Sequence, residues 1–136
     1  THRRHDRLGA EEARRDLSQG LEAIERAAGR RPRWYRPPYG ASSPALAAIC
    51  SDLGLRLAYW SAWGQDWEEI AADEIARLAL RDFGAGSVIL LHDSALYAER
   101  ESAQPTVEAI PIVAGAARDL GLDLVSLAIA LDGSYD

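Results

Sequence analysis

The sequence predicts an α/β fold with parallel strands, on three observations. Helix-like and strand-like patterns alternate about four times along the 136 residues. Glycines stand directly after the helical patterns, where helices commonly end. Residues 87–91 form a continuous apolar run, which is typical of a strand buried on both faces of a parallel sheet. Alternation of this kind favours parallel strands joined by right-handed crossover helices.

The first half of the chain carries two predicted helices and one predicted strand. A helix is predicted over residues 10–28, because apolar residues recur there at steps of three and four and Gly29 follows. The aromatic residues 34–36 predict a short strand that ends against two prolines. Ser43 before a proline is typical of a helix start, which predicts a second helix over residues 45–53.

The second half repeats the alternation. Strands are predicted over residues 55–60 and 122–127, in addition to the apolar run. Helices are predicted over residues 73–83 and 106–120. Pro111 lies inside the last helical pattern and should kink that helix or shift its start.

Length, composition and charge limit the possible classes of protein. A closed eight-fold barrel needs about 250 residues, so we expect residues 1–136 to form one domain that is either a small open sheet or part of a barrel. The formal charge of −6 excludes a general nucleic-acid binder. No apolar run approaches the roughly 20 residues of a membrane span. Cys50, the only cysteine, lies in an apolar stretch and is expected in the core. The oligomeric state and cell location are left open.

Polar side chains follow three successive predicted strands. Arg36 and Tyr39 follow the first, Asp66 and Trp67 the second, and His92 the apolar run. In parallel α/β folds, the loops at the carboxyl ends of the strands line one common mouth. The sequence therefore predicts a functional site that these three loops share.

Each loop also has a purely structural interpretation. Residues 36–40 contain two prolines and a glycine, a rigid segment that can aim a backbone N–H at an oxyanion or simply turn the chain beside a surface arginine. Trp67 can stack on a sugar or fill the core, and Asp66 can cap a helix. His92 can transfer protons near neutral pH or serve as a structural histidine. His2 and His5 are close enough in sequence to bind one metal ion, or they are chance histidines without a ligand role, which their spacing alone favours.

Taken in order, four segments resemble the polysaccharide deacetylase family, which comprises the NodB-homology domains of carbohydrate esterase family 4. The segments are Thr1-His2-Arg3-Arg4-His5, Arg36-Pro37-Pro38-Tyr39-Gly40, Gln65-Asp66-Trp67 and Leu90-Leu91-His92-Asp93. No single segment is specific, but their joint occurrence in this order is. The resemblance extends over nearly the whole chain and implies a partial distorted (β/α) barrel with parallel strands.

The resemblance implies metal-dependent hydrolysis of N-acetyl groups on a carbohydrate. A divalent metal, commonly zinc, would polarise the acetamide carbonyl and activate water. His92 would be the general acid that protonates the departing amine. Asp66 would hold the His92 ring and raise its basicity, and Arg36 would orient the carboxylate of the general base.

The remaining implied roles concern the substrate and the metal. The Tyr39 backbone N–H would stabilise the oxyanion, and Trp67 and Leu90 would wall the groove that holds the N-acetylated sugar. His2 and His5 are the candidate metal ligands. The family spaces its two ligand histidines four residues apart rather than three, so His2 is expected to be the second histidine of that element and His5 an extra neighbour or a substitute.

One family element is absent from these residues. The family's T-F-D-D-G element, which supplies the base and a metal-binding aspartate, does not occur in the sequence and is expected upstream of Thr1. The chain is therefore predicted to be an incomplete and inactive copy of a deacetylase domain. Two alternatives stay open: a non-catalytic glycan-binding or interaction module of the same fold, and an unrelated α/β domain.

Overall fold

The computed structural model describes residues 2–132, which form two compact units. Within the described residues, the N-terminal unit covers residues 2–59 and the C-terminal unit covers residues 60–132. Each unit has its own pair of parallel strands and its own cluster of buried apolar side chains. The predicted α/β class with parallel strands is therefore confirmed, whereas the partial barrel and the single domain stay predictions.

The N-terminal unit packs two helices onto a short parallel strand pair. The pairing sets Trp34 opposite Arg56 and Tyr35 opposite Leu57. In chain order, the elements are a 3₁₀ turn His5–Arg7, α1 Ala10–Ala28, β1 Trp34–Tyr35, a 3₁₀ turn Pro38–Gly40, α2 Pro44–Asp52 and β2 Arg56–Leu57.

The core of this unit lies where α1 meets α2. Leu17 and Leu21 come from the apolar face of α1, while Leu46 and Ile49 come from α2. Cys50 is 1% exposed, which confirms the expectation that it is a core residue. The side chain of Ser43 accepts a hydrogen bond from the Leu46 N–H at 3.2 Å, so the predicted helix start is also confirmed.

In the C-terminal unit, two helices pack on each other beside a second parallel strand pair. Ala62 is paired with Ile89 and Trp63 with Leu90. Small buried residues such as Ala76, Ala79 and Ala109 let the two long helices approach closely. The elements are β3 Ala62–Trp63, α3 Ala72–Leu80, β4 Ile89–Leu90, α4 Gln104–Asp119 and α5 Leu127–Asp132.

The structure corrects the sequence prediction at two strands. The predicted strand over residues 55–60 is reduced to Arg56–Leu57, and a separate strand at Ala62–Trp63 pairs with β4. The predicted strand over residues 122–127 is wrong: residues 122–126 are irregular, and a helix begins at Leu127. Leu124 and Val125 are exposed. An apolar segment becomes a strand only where a neighbouring strand accepts its backbone hydrogen bonds, and the described residues place none beside it.

Two further expectations concern the helices. The helix α4 runs from Gln104 to Asp119 and contains Pro111. The helix therefore begins before the proline and not after it. None of the helices within residues 2–132 combines the length and apolar character that crossing a membrane requires.

Gly64 directly follows β3, on the segment that leads toward Asp66. A Cβ atom placed on Gly64 would lie 2.6 Å from Cγ2 of Ile75 and 3.0 Å from the Ile75 carbonyl oxygen. Ile75 is completely buried in the core of the C-terminal unit, so neither atom has room to yield. Glycine is therefore required at this position by close packing.

We expect Gly64→Ala to lower the free energy of unfolding by about 1–3 kcal/mol, the usual cost of overpacking a core. The matched control is Gly115→Ala in α4, where the added Cβ would have only the end of the Arg118 side chain near it, at 3.9 Å. The control should stabilise the protein by about 0.5–1 kcal/mol, because alanine is the better helix former. Urea unfolding of both variants checks this, and equal stabilities of the two would contradict it.

Candidate active site

The parallel pairing of β3 with β4 brings Asp66 and His92 together. Trp63 lies opposite Leu90 in the register, and each strand ends directly after these residues. Asp66 is three residues beyond the end of β3, and His92 is two residues beyond the end of β4. Because the strands are parallel, the two loops leave the sheet at the same edge.

The Asp66 carboxylate forms two hydrogen bonds with His92. Oδ1 lies 2.8 Å from Nδ1 of the His92 ring, and Oδ2 accepts a hydrogen bond from the His92 backbone N–H at 2.7 Å. Asp66 is 0% exposed, while the His92 side chain is 30% exposed. The pair therefore joins a buried anion to an imidazole that reaches the surface of its unit.

The hydrogen bond to Asp66 fixes the tautomer of His92. A carboxylate accepts hydrogen bonds, so Nδ1 carries the proton that it shares with Asp66. In the neutral ring, Nε2 is then the basic nitrogen, and the described residues provide no hydrogen-bond partner for it. A proton gained or released by His92 therefore passes through Nε2.

Two residues that the sequence analysis missed complete the surroundings of Asp66. The hydroxyl of Thr106, in the first turn of α4, donates a hydrogen bond to Oδ2 of Asp66 at 2.9 Å. The guanidinium of Arg100 donates to Thr106 Oγ1 and to the His92 carbonyl, and its Nη1 lies 3.8 Å from Asp66 Oδ2. Arg100 belongs to an irregular loop without a motif of its own, so only its burial signals its importance.

The electrostatic balance favours an ionised Asp66. Burial alone would raise the pKa of this carboxyl, but hydrogen bonds from the ring and the backbone N–H of His92 and from Thr106 outweigh it. The net result is a pKa below the usual range. Asp66 therefore keeps its charge at neutral pH and stabilises a positive charge on His92.

Trp67 and Leu90 surround the pair in different ways. The Trp67 ring meets the His92 ring edge-on, with centroids 5.8 Å apart and planes at 87°. The side chain of Leu90 is only 4% exposed. Gln65, just before the acid, has a φ of 50°, a conformation that side-chain-bearing residues rarely adopt. The roles of Trp67 and Leu90 as walls of a sugar-binding groove stay predictions.

Arg36 and Tyr39 lie in the N-terminal unit. The side chain of Arg36 is exposed, directly after β1. Tyr39 has a φ of 60°, so a residue with a side chain adopts the left-handed conformation at this position. The Tyr39 ring is 63% exposed and meets the His2 ring edge-on at 4.8 Å. That Arg36 shares one site with the Asp66–His92 pair stays a prediction.

The two candidate metal ligands differ in their surroundings. His5 is buried; its Nε2 lies 2.7 Å from Asp16 Oδ2 and its Nδ1 2.8 Å from the Tyr35 hydroxyl. Burial raises the pKa of Tyr35, so the phenol stays protonated and donates to Nδ1. Both ring nitrogens of His5 are thus engaged, and metal binding there would require one contact to break. His2 is partly buried beside Tyr39.

A structural or catalytic zinc site requires three or four protein ligands. Within residues 2–132, no three His, Cys, Asp or Glu side chains are grouped in a way that could hold a metal ion. The residues described therefore do not fit a metal centre by themselves.

Comparisons with known proteins connect both units to one family. The family model for polysaccharide deacetylase matches residues 1–58. The chain is 36% identical to a chitooligosaccharide deacetylase of Azorhizobium caulinodans over 65% of its own length and 42% of the relative's. The solved structure of a family 4 carbohydrate esterase from Streptomyces lividans, in complex with acetate, matches 96% of this chain with 30% identity and a TM-score of 0.82. This chain belongs to the polysaccharide deacetylase family.

A third relative differs in the substrate that its name gives. The chain is 36% identical to a bifunctional xylanase/xylan deacetylase of Cellvibrio japonicus, over 57% of this chain and 12% of that protein. The chain therefore spans less than half the length of these two curated relatives, and 64% of the Streptomyces lividans esterase. The family name applies to the chain, and the choice of acetylated sugar remains a separate question.

The lowered pKa of Asp66 makes the stability of this deacetylase-family chain depend on pH. An ionised, paired Asp66 stabilises the fold above the ordinary aspartate pKa of about 3.9, and this stability is lost as the pH falls through the lower value of the folded state. We expect Asp66→Asn to reduce the free energy of unfolding at pH 7 by about 3–5 kcal/mol, because Arg100 loses its buried partner.

The difference between wild type and Asp66→Asn should shrink in acid, as the wild-type carboxyl becomes protonated. Denaturant unfolding between pH 3 and pH 7 measures it. Asp82→Asn is the control, since Asp82 is exposed and its ion pair within residues 2–132 is with exposed Arg81; we expect a change within about 0.5 kcal/mol there. A constant difference across the pH range would show that the charge of Asp66 is not what stabilises the fold.

Proposed function

We propose that this chain is part of an enzyme that hydrolyses N-acetyl groups of a carbohydrate, with His92 as the general acid and Asp66 as its partner. The observation that carries the proposal is the ion-pair geometry at the strand ends. Asp66 Oδ1 holds Nδ1 of His92 at 2.8 Å and leaves Nε2 without a partner in the described part of the chain. A histidine held in this way presents one titratable nitrogen to a reacting group.

The chemistry assigned to His92 is proton donation to the leaving group. When the bond between the acetyl carbon and the sugar nitrogen breaks, the amine departs more readily if its nitrogen receives a proton. Protonated Nε2 supplies that proton, while the negative charge of Asp66 stabilises the imidazolium beforehand. The edge of Trp67 limits how the His92 ring can tilt.

The N-terminal unit supplies the other proposed groups. Arg36 is assigned to orient the carboxylate of a general base, and the backbone N–H of Tyr39 to stabilise the oxyanion. The strained φ of 60° at Tyr39 supports this assignment, because strained backbone persists where the surroundings hold it and is concentrated at functional sites.

Metal dependence is part of the proposal for the intact enzyme. A divalent metal, commonly zinc, would act as a Lewis acid on the acetyl carbonyl when bound. His2 is the candidate ligand from this chain, and His5 is the weaker candidate because both of its nitrogens are engaged. The general base and the remaining metal ligands are left unassigned, because the sequence contains no T-F-D-D-G element.

We expect the 136-residue chain alone to release no acetate from chitin oligomers with zinc present, because it lacks the base and a metal-binding aspartate. Acetate release is followed enzymatically over hours, with a complete family member as the positive control. Activity above the rate of a His92→Gln variant would contradict the proposed inactivity.

A second function is favoured by aromatic side chains on the C-terminal unit. Trp63 is 38% exposed and packs edge-on against Trp60, with ring centroids 6.4 Å apart. Exposed aromatic rings stack well on sugar faces. The chain would then be a non-catalytic glycan-binding module that keeps the fold and needs no metal.

Calorimetry with chitin oligomers separates the two functions. A binding module should bind equally well with and without chelator, and Trp63→Ala should weaken binding roughly tenfold, the equivalent of about 1.4 kcal/mol. The control is His92→Gln, which should leave the affinity of a module unchanged. Loss of binding on adding chelator would rule the module out.

A further inference from the structure

A buried cation lies behind the Asp66–His92 pair. Arg100 is 7% exposed although it belongs to an irregular loop. Its Nη2 donates hydrogen bonds to the carbonyl oxygens of His92 at 3.0 Å and Ser94 at 3.4 Å. One guanidinium thus fixes the backbone of the segment that carries the His92 ring.

Thr106 connects this cation to the carboxylate. Its hydroxyl accepts a hydrogen bond from Nη1 of Arg100 and donates one to Oδ2 of Asp66 at 2.9 Å. Thr106 is only 3% exposed, and it is anchored in the first turn of α4. A serine could make both hydrogen bonds, whereas a valine of the same shape could make neither.

The arrangement is not the one that stability alone would select. Nε of Arg100 is buried, and none of the described residues accepts its hydrogen bond. A buried polar group without a partner costs free energy, and so does removing a guanidinium from water. Replacing the Asp66–Arg100 pair as a whole with apolar side chains would avoid these costs, so the presence of a buried charge pair here calls for a functional explanation.

We propose that Arg100 and Thr106 are positioning residues for His92: they share the charge of Asp66 and hold the loop of residues 92–94, so that the ring keeps its orientation and releases its proton readily. The inference rests on the proposed role of His92 as a proton donor. Neither residue is assigned contact with the substrate.

The physical reason is the balance of charge around the ring. A buried carboxylate that served His92 alone would hold the imidazolium tightly, and a general acid that holds its proton too tightly is inefficient. Positive potential from Arg100, relayed by Thr106, weakens that hold. Within the C-terminal unit, the charged groups near the ring are Asp66, Arg100 and the adjacent exposed Asp93, while Glu68 bonds to the Trp67 indole that meets the ring.

The test is an NMR titration of His92 in the substrate-free chain. The chain contains three histidines, so His92→Gln assigns the signal. We expect Arg100→Gln to raise the titration midpoint of His92 by about one pH unit, because a nearby positive charge is removed. Thr106→Val should raise the midpoint by about half a unit, and Thr106→Ser should restore it to the wild-type value.

Arg77→Gln provides the matched charge control, since Arg77 lies in the same unit and forms an exposed ion pair with Glu74; it should leave the midpoint unchanged. Backbone amide spectra show which variants are folded. If Arg100→Gln does not fold, the comparison of valine with serine at position 106 decides.

An unchanged His92 midpoint in the folded variants would overturn the inference, and so would equal midpoints for valine and serine at position 106. The titration needs no substrate, so its outcome is separate from that of the acetate assay. If the midpoints shift as expected but the proposed deacetylation is disproved, the positioning role of Arg100 and Thr106 is supported and only the proposed reaction is refuted.

Discussion

The structure around the candidate site depends on one constraint, the burial of the Asp66 carboxylate. An ionised group that is 0% exposed must be satisfied by hydrogen bonds and a compensating charge, or its burial would cost several kcal/mol. Its donors come from the segment after β4 and from the start of α4, and its counterion comes from the loop between them. Pairing this one carboxylate therefore orders segments that lie 26 to 40 residues away from Asp66 in sequence, and it orients the imidazole of His92.

A similar constraint acts at the start of the N-terminal unit. His5 is buried between the carboxylate of Asp16 on α1 and the hydroxyl of Tyr35 on β1. These contacts tie the first residues of the chain to both elements, so the segment that carries His2 has a defined place beside the Tyr39 ring. In both units, a histidine with an acidic partner links a loop to the elements that pack beneath it, but only His92 keeps a ring nitrogen available.

Membership of the polysaccharide deacetylase family gives these two arrangements a common interpretation. Two of the four segments that resemble the family depart from ordinary packing: the backbone is strained at Tyr39 and Gln65, and a charge is buried at Asp66. Strained backbone costs free energy, and so does a buried charge that its partners must offset; both features are commonly retained for function. The chain spans less than two thirds of the relatives it resembles, and the described residues hold one half of the proposed chemistry, the proton donor with its supporting groups.

The sequence by itself determined the α/β class, the four long helices, Cys50 as a core residue and the loops that carry Asp66 and His92. Periodicity, capping residues and glycine stops are local signals, and local signals suffice for such features. Only the tertiary structure decided that residues 62–63 pair with β4 while residues 122–126 remain irregular. A strand forms only beside a neighbouring strand, and local sequence does not indicate which segments will be neighbours. The same reason hides Arg100 and Thr106: their importance comes from sharing a buried carboxylate up to 40 residues away along the chain, and no local pattern records that contact.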